Sequence, residues 1–230
     1  MLDTKKIIVH LLYRSGIHRL LAPFYRGHTS ILYMHRIKRE FCEDDPLQFL
    51  CITPEYLEEY IVARRREGYR FISLDELYHD FEACAARGKN IVMTFDDGYR
   101  DNYQLGLPAF KAHGVPFAIY IANAFPNGRA DLWWEAFAEV ARKPEVITLC
   151  QGDAAFRVVE GTAIQRYSAM TKHYLHLSPD RQREFKLAIA EWTGGRDRVG
   201  ELCMTWEEVR AIADETLCTI GAHTMTHRVL

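Results

Sequence analysis

Short apolar runs recur along the chain and are separated by stretches with helical spacing of apolar and polar residues. The runs lie at residues 31–35, 71–72, 91–95, 116–121 and 216–220. Residues that can cap the N-terminus of a helix lie between these runs: Thr53, Ser73 and Thr205. This alternation of strand and helix predicts a parallel sheet with crossover helices.

Residues 123–200 interrupt that rhythm. A helix is predicted from Trp133, a small hairpin from residues 146–149 and 156–159, and two helices within 162–192. The regular order resumes afterwards with the helix that begins at Thr205. We interpret residues 123–200 as an insertion between units of one α/β domain that covers residues 30–230, and not as a separate domain.

Residues 1–29 precede the first predicted strand and contain an amphipathic helix at residues 3–22. We expect this helix to dock on the domain; a basic helix that makes peripheral contact with a membrane surface is the alternative. The apolar run is too short for a membrane span, which needs ~20 residues. It is broken by His10 and Arg14 and lacks the small-residue cleavage site of a signal peptide. We therefore expect a cytoplasmic protein, with membrane association through residues 3–22 as the open alternative.

Composition narrows the class of protein. The chain has 230 residues, 48% of them hydrophobic and 26% charged, as in a soluble globular domain. Its formal net charge of −2 gives no reason to expect nucleic-acid binding. The six cysteines are scattered without a CxxC pair, so we expect reduced and largely buried thiols.

Three predicted strands end in residues suited to chemistry: His35, the pair Asp96 and Asp97, and His223 with His227. In parallel α/β folds the carboxyl ends of the strands form the ligand site. Two adjacent carboxylates disfavour each other's ionisation unless a cation is near, and two histidines four apart on a helical turn can bind one metal ion. These strand ends therefore predict a site with two histidines and one carboxylate.

The histidine spacing matches that of HExxH metalloproteases, but Thr224 occupies the position of their glutamate. The second carboxylate of the aspartate pair is then the candidate general base. Each motif alone has a plainer interpretation, since Asp-Asp-Gly is commonly a turn and spaced histidines are commonly just solvated. Cys218 is a further candidate ligand, although core packing fits its apolar strand better.

Aromatic residues near these motifs are candidates for contacts with a sugar. Trp133 and Trp134 are adjacent and suit stacking on a sugar face, with core packing as the alternative. Tyr99 and Arg100 follow the carboxylates directly and are predicted to line the cleft. We select Tyr99 and Trp134 as the candidate substrate-binding residues.

Residues 94–98 (TFDDG) and 223–227 (HTMTH) resemble the first two motifs of the polysaccharide deacetylases, the NodB-homology family of carbohydrate esterases. The resemblance extends over flanking segments and covers roughly residues 30–230. Those segments are YMHR at 33–36, GYRFISLDE at 68–76, GVPFA at 114–118, LWWE at 132–135 and MTW at 204–206.

The resemblance implies a distorted (β/α)7 barrel and metal-dependent removal of an N-acetyl group from a sugar. By position, Asp96 would be the general base, while Asp97, His223 and His227 would bind a divalent metal, zinc being the first expectation. The metal would polarise the acetyl carbonyl and activate water. The substrate would be an N-acetylated polysaccharide, an oligosaccharide or a lipid-linked glycan precursor.

The chain departs from the family pattern after the second motif. A later motif and a late strand with a Leu-x-His acid are not seen, and the sequence ends at Leu230. We therefore expect a barrel that is incomplete at the C-terminus. Circularly permuted branches of the family place the acid histidine on the first strand, which His35 fits; a structural histidine is the alternative. A catalytically silent module that binds metal or sugar, and a different metal hydrolase such as a deformylase, are the competing functions.

Overall fold

The computed structural model describes residues 4–25, 27–40, 42–143, 147–150, 155–158, 160–196 and 198–227. Its strands are β1 (Thr29–Met34), β2 (Arg36–Ile37), β3 (Cys51–Ile52), β4 (Arg70–Phe71), β5 (Asn90–Asp97), β6 (Phe117–Ile121), β7 (Ile147–Leu149), β8 (Phe156–Val158) and β9 (Cys218–Ala222). Its α-helices are α1 (Thr4–Arg14), α2 (Ile17–Tyr25), α3 (Pro54–Arg66), α4 (Leu74–His79), α5 (Phe81–Arg87), α6 (Leu107–His113), α7 (Trp133–Ala141), α8 (Ala163–His176), α9 (Pro179–Trp192), α10 (Arg198–Leu202) and α11 (Trp206–Ala213).

A parallel central sheet organises the molecule, with the order β1-β5-β6-β9 and with β4 beside the first residues of β5. β5 lies in the middle of this sheet. Its residues 91–95 are all buried, as expected for a strand that is covered on both faces. This mixed α/β architecture with a parallel sheet confirms the predicted fold class. Within the described residues no pairing joins β1 to β9, and the strands form an open path in the order given.

Helices cover the sheet and begin where the sequence predicts. Thr205 and Thr162 form complete capping boxes, while the Ser73 box is half formed because the Glu76 carboxylate pairs with Arg70 instead. The helix predicted from Ser73 to Gly88 is interrupted at Asp80 and forms α4 and α5. The main core lies between the sheet and α3, α6 and α11, where Phe110 stacks on Phe117 with ring centroids 4.3 Å apart.

The segment predicted as an insertion builds its own apolar core. α7, α8 and α9 enclose Phe137, Met170 and Phe185, and β7 pairs with β8 as the predicted antiparallel hairpin. Positions 146 and 159 of that predicted hairpin lie outside the described residues. β6 and β9 are hydrogen-bonded neighbours although residues 123–200 separate them in sequence. The domain division remains a prediction.

The N-terminal region forms two helices instead of the single predicted helix at residues 3–22. The chain breaks at Ser15 and Gly16, and Gly16 has φ +73°, a conformation that ends helices. The expected docking on the domain is wrong for most apolar side chains of α1 and α2, since Leu20 is 75% and Phe24 81% exposed. Among the described helices, none combines the length and apolarity needed to cross a bilayer.

Candidate metal centre

The aspartate pair lies where β5 reaches the carboxyl edge of the sheet. Strand alternation alone would send neighbouring side chains to opposite faces. Asp97, however, has φ +76° and Gly98 has φ +91°, so the chain turns sharply at this point. Gly98 also lies close to the neighbouring strand, since a Cβ on Gly98 would lie 3.3 Å from Ile121 Cγ2. Asp97 is buried and Asp96 half-buried at the resulting edge.

Asp97 meets the two histidines of the second motif. Its Oδ1 atom lies 3.5 Å from His223 Nε2 and 3.2 Å from His227 Nε2. One ligand atom from each of the three residues falls within 4.8 Å of the others. Asp97 Oδ1 is buried and has no hydrogen-bond partner among the described residues. A buried oxygen of this kind is costly unless it is paired, and two imidazole nitrogens with one carboxylate oxygen are ligands that zinc accepts. The residues fit a divalent metal ion.

The electrostatics of the site also favour a cation. Burial raises the pKa of Asp97 to about 6, against the lowering effect of His35 and His223, and the neighbouring Asp96 raises it further. A cation would offset this cost, because it favours the charged form of a carboxylate. Burial and the nearby His223 lower the pKa of His227. A neutral imidazole is the form that coordinates a metal.

The two histidines are brought together by a bend and not by the predicted helical turn. Thr224 and His227 both have left-handed backbone, with φ +62° and +52°. Thr224 Oγ1 accepts a hydrogen bond of 3.0 Å from the His227 backbone N–H, which closes the bend. The bend is fixed to the end of the neighbouring strand β6, since His223 N donates to Ile121 O and Asn123 N donates to Thr224 O. Strained backbone of this kind clusters at functional sites.

The predicted base and acid both lie at this edge of the sheet. The Asp96 carboxylate makes no hydrogen bond or ion pair within the described part of the chain, so its oxygens are available. His35 follows β1 directly and is near enough to Asp97 to influence its pKa. The Asn102 side chain holds the His35 backbone, donating to its carbonyl at 2.9 Å. His35 does not belong to the set of metal-binding atoms found among the described residues.

The expectation that Tyr99 and Trp134 touch substrate is not supported by their positions. Tyr99 is completely buried, because the turn at Gly98 directs its side chain inwards. Trp134 is 7% exposed, and its Nε1 donates to Tyr99 Oη at 2.7 Å. The Trp134 ring packs 5.1 Å from the ring of His227, centroid to centroid. Trp134 therefore packs against a candidate metal ligand, and Tyr99 holds Trp134 through this hydrogen bond.

Trp133 is the tryptophan that faces open space. It lines a cleft of about 900 Å³ that extends to Thr226 and His227. Its ring lies 5.0 Å from that of Tyr174, which lines the same cleft. Arg100, also predicted to line the cleft, instead binds Glu208 at 3.0 Å and the Gly200 carbonyl at 2.7 Å. Cys218 is not part of the metal-binding set.

A buried ion-pair network beside the site was missed by sequence reasoning. Arg36 Nε donates to Asp101 at 2.9 Å and its Nη1 donates to Glu135 at 2.7 Å. Its guanidinium lies 4.5 Å from the centre of the Tyr99 ring. Burial opposes the charge of Arg36, but Asp101 and Glu135 together raise its pKa. The sequence signal for this network was that Arg36 lies just after β1 and Asp101 just after β5. Nothing in the sequence, however, specifies that the two side chains pair.

The chain is similar to solved structures of several deacetylases. A de-N-acetylase from Aggregatibacter actinomycetemcomitans is 13% identical over 85% of this chain and 54% of its own, with a TM-score of 0.44. A polysaccharide deacetylase from Bacillus cereus is 14% identical over 87% of this chain and 40% of its own, with a TM-score of 0.43. A Streptococcus pyogenes deacetylase in complex with acetate is 23% identical over 43% and 44%, with a TM-score of 0.38. The chain thus spans about half the length of these proteins.

No curated protein sequence matches the chain. The family model described as polysaccharide deacetylase matches residues 84–230, which include the aspartate pair, both histidines and the insertion. This match covers more than half of the chain, and the chain therefore belongs to the polysaccharide deacetylase family.

Proposed function

We propose that this chain hydrolyses the N-acetyl group of an N-acetylated sugar with the help of a divalent metal ion, zinc being the first candidate. The single observation that carries the proposal is the buried Oδ1 of Asp97, which has no hydrogen-bond partner among the described residues and lies 3.5 and 3.2 Å from the Nε2 atoms of His223 and His227. Family membership supports the same chemistry. The sugar is a unit of a polysaccharide, an oligosaccharide or a lipid-linked glycan precursor.

Each residue of the site has a proposed role in amide hydrolysis. Asp97, His223 and His227 hold the metal ion, which when bound supplies Lewis acidity toward a carbonyl oxygen and toward water. Asp96 accepts a proton from the water that attacks the acetyl carbon. His35 gives a proton to the sugar nitrogen as the carbon–nitrogen bond breaks, so the products are acetate and a free amine. Trp133 and Tyr174 form an apolar wall for the sugar.

The test separates the base from the metal ligands. In the Asp96→Asn variant we expect acetate release from an N-acetylated chito-oligosaccharide to fall at least about a hundredfold, as for loss of a general base. Zinc content, measured by mass spectrometry, should stay at the wild-type level. The matched Asp97→Asn variant should lose both zinc and activity. Turnover by Asp96→Asn at the wild-type rate would remove Asp96 from this role, and wild-type protein that binds zinc without releasing acetate would favour the silent module.

We also propose that α1 and α2 make peripheral contact with the cytoplasmic face of a membrane. Their exposed apolar side chains include Val9, Leu20 and Phe24. Residues 4–25 contain no Asp or Glu, and their Lys and Arg residues are Lys5, Lys6, Arg14 and Arg19. Exposed apolar side chains combined with positive charge suit an interfacial helix on anionic lipid.

A further inference from the structure

The cleft beside His227 carries positive charge on its wall, and the proposed chemistry does not use this charge. Trp133 at the start of α7 and Tyr174 near the end of α8 form its apolar part. Arg183 in α9 and Arg129 in the loop after β6 also line the cleft. The cleft has a volume of about 900 Å³, and a metal-binding histidine stands at one side of it. The two arginines and His227 therefore line one continuous cleft.

The positive charge of this wall is not compensated. Of the four charged side chains that line the cleft beside His227, Lys186 pairs with Asp131. Arg129 and Arg183 make no ion pair within the described residues, and both are exposed. Asp180, one turn before Arg183, makes no ion pair with it. By contrast Arg181, two residues earlier on the same helix, pairs with Glu184 at 2.6 Å. The cleft therefore carries two free guanidinium groups.

We propose that the substrate carries an anionic group, and that Arg129 and Arg183 determine this specificity. This inference rests on the proposed function, because it places the acetyl group at the metal centre and the anion in the cleft. Guanidinium groups bind phosphate and carboxylate through paired N–H donors. The apolar wall of Trp133 and Tyr174, which lines the same cleft, suits the ring of a sugar. The substrate class is thus an acidic N-acetyl sugar, either a sugar phosphate or a sugar carboxylate.

The experiment measures binding, so that it does not depend on turnover. Titration calorimetry on the zinc-loaded protein would compare N-acetylglucosamine 1-phosphate, N-acetylmuramic acid and the neutral methyl glycoside of N-acetylglucosamine. We expect at least one acidic sugar to bind about tenfold more tightly than the neutral one, as for one or two charge-assisted hydrogen bonds in a solvated cleft. The two acidic ligands distinguish phosphate from carboxylate.

Matched variants localise the effect. Arg183→Gln and Arg129→Gln should each remove most of the preference for the acidic sugar and leave the affinity for the neutral one unchanged. Arg181→Gln, on the same helix but outside the cleft, should keep the preference. Equal affinity for acidic and neutral sugars, no measurable binding of either acidic sugar, or a preference that survives both cleft variants would each overturn the inference. Acetate release from neutral chito-oligosaccharide tests the proposed function separately.

Discussion

At the scale of the single residue, the Thr224 side chain stabilises the bend between His223 and His227. Its hydroxyl accepts a hydrogen bond from the His227 backbone and so fixes the position of one metal ligand relative to the other. Groups that orient ligands contribute strongly to metal affinity, and their loss typically weakens binding about ten- to a hundredfold. Thr224 occupies the position of the glutamate in HExxH sites. Here that position contributes by fixing the backbone conformation between the two histidines.

Substitution of Thr224 tests this role. Thr224→Val keeps the shape of the side chain but cannot accept the hydrogen bond, and we expect zinc affinity to fall about tenfold. Thr224→Ser retains the hydroxyl and is the matched control, with affinity close to that of the wild type. Competition with a chromophoric chelator measures both. If valine and serine variants bind zinc equally well, the hydroxyl does not position His227.

The proximity of the candidate site residues was predictable because parallel strands end at one edge of the sheet. Asp97, His223 and His227 lie at or after the ends of apolar runs, and the structure brings their ligand atoms within 4.8 Å of one another, while Asp96 precedes Asp97 in β5. The burial of Tyr99 was not predictable, since it depends on the positive φ angles of Asp97 and Gly98. The packing of Trp134 against His227 likewise joins residues almost a hundred positions apart, a contact that no local pattern encodes.

At the scale of the element, α1 and α2 leave most of their large apolar side chains exposed. Helices such as α7 and α11 bury theirs against neighbours. In α2 the exposed side chains of Leu20 and Phe24 lie four residues apart, so they share one face of the helix. Such a face inserts into the boundary between lipid headgroups and acyl chains.

Vesicle binding tests the proposed membrane contact. We expect the protein to sediment with vesicles that contain anionic lipid and to bind much more weakly to purely zwitterionic ones, because the helices are basic. Leu20→Glu together with Phe24→Glu should reduce sedimentation at least about tenfold. Leu187→Glu, which alters an exposed leucine on α9, is the control and should change little. Binding that is unaffected by the double substitution would place the membrane contact elsewhere or rule it out.

Element positions followed from the sequence more closely than element packing did. Capping residues and apolar runs are local signals, so the starts of α3, α8 and α11 and the strands β5 and β6 were located closely. The exposure of α1 and α2 depends on what lies beside them, which periodicity does not reveal. Whether β1 and β9 pair is also a long-range property, which the local pattern of apolar residues does not encode.

At the scale of the whole molecule, the candidate metal centre joins parts that are distant in sequence. Asp97 ends the central strand β5, whereas His223 and His227 follow β9 at the edge of the sheet. The insertion contributes Trp134, which packs on His227, and Trp133, which lines the cleft. A metal ion bound by Asp97 and both histidines would therefore tie the edge strand to the centre of the sheet.

Metal removal should consequently lower the stability of the fold. A ligand that binds only the native state at a hundred times its Kd stabilises it by about 2.7 kcal/mol, so chelation should lower the thermal midpoint by several degrees. Thermal unfolding followed by circular dichroism, with zinc and with a chelator, measures the shift. Asp97→Asn is the matched control, because it removes one ligand with little change in shape, and its midpoint should not respond to zinc. A zinc-dependent shift of the same size in Asp97→Asn would show that the stabilising ion binds outside this centre, and no shift in the wild type would argue against a metal-linked edge strand.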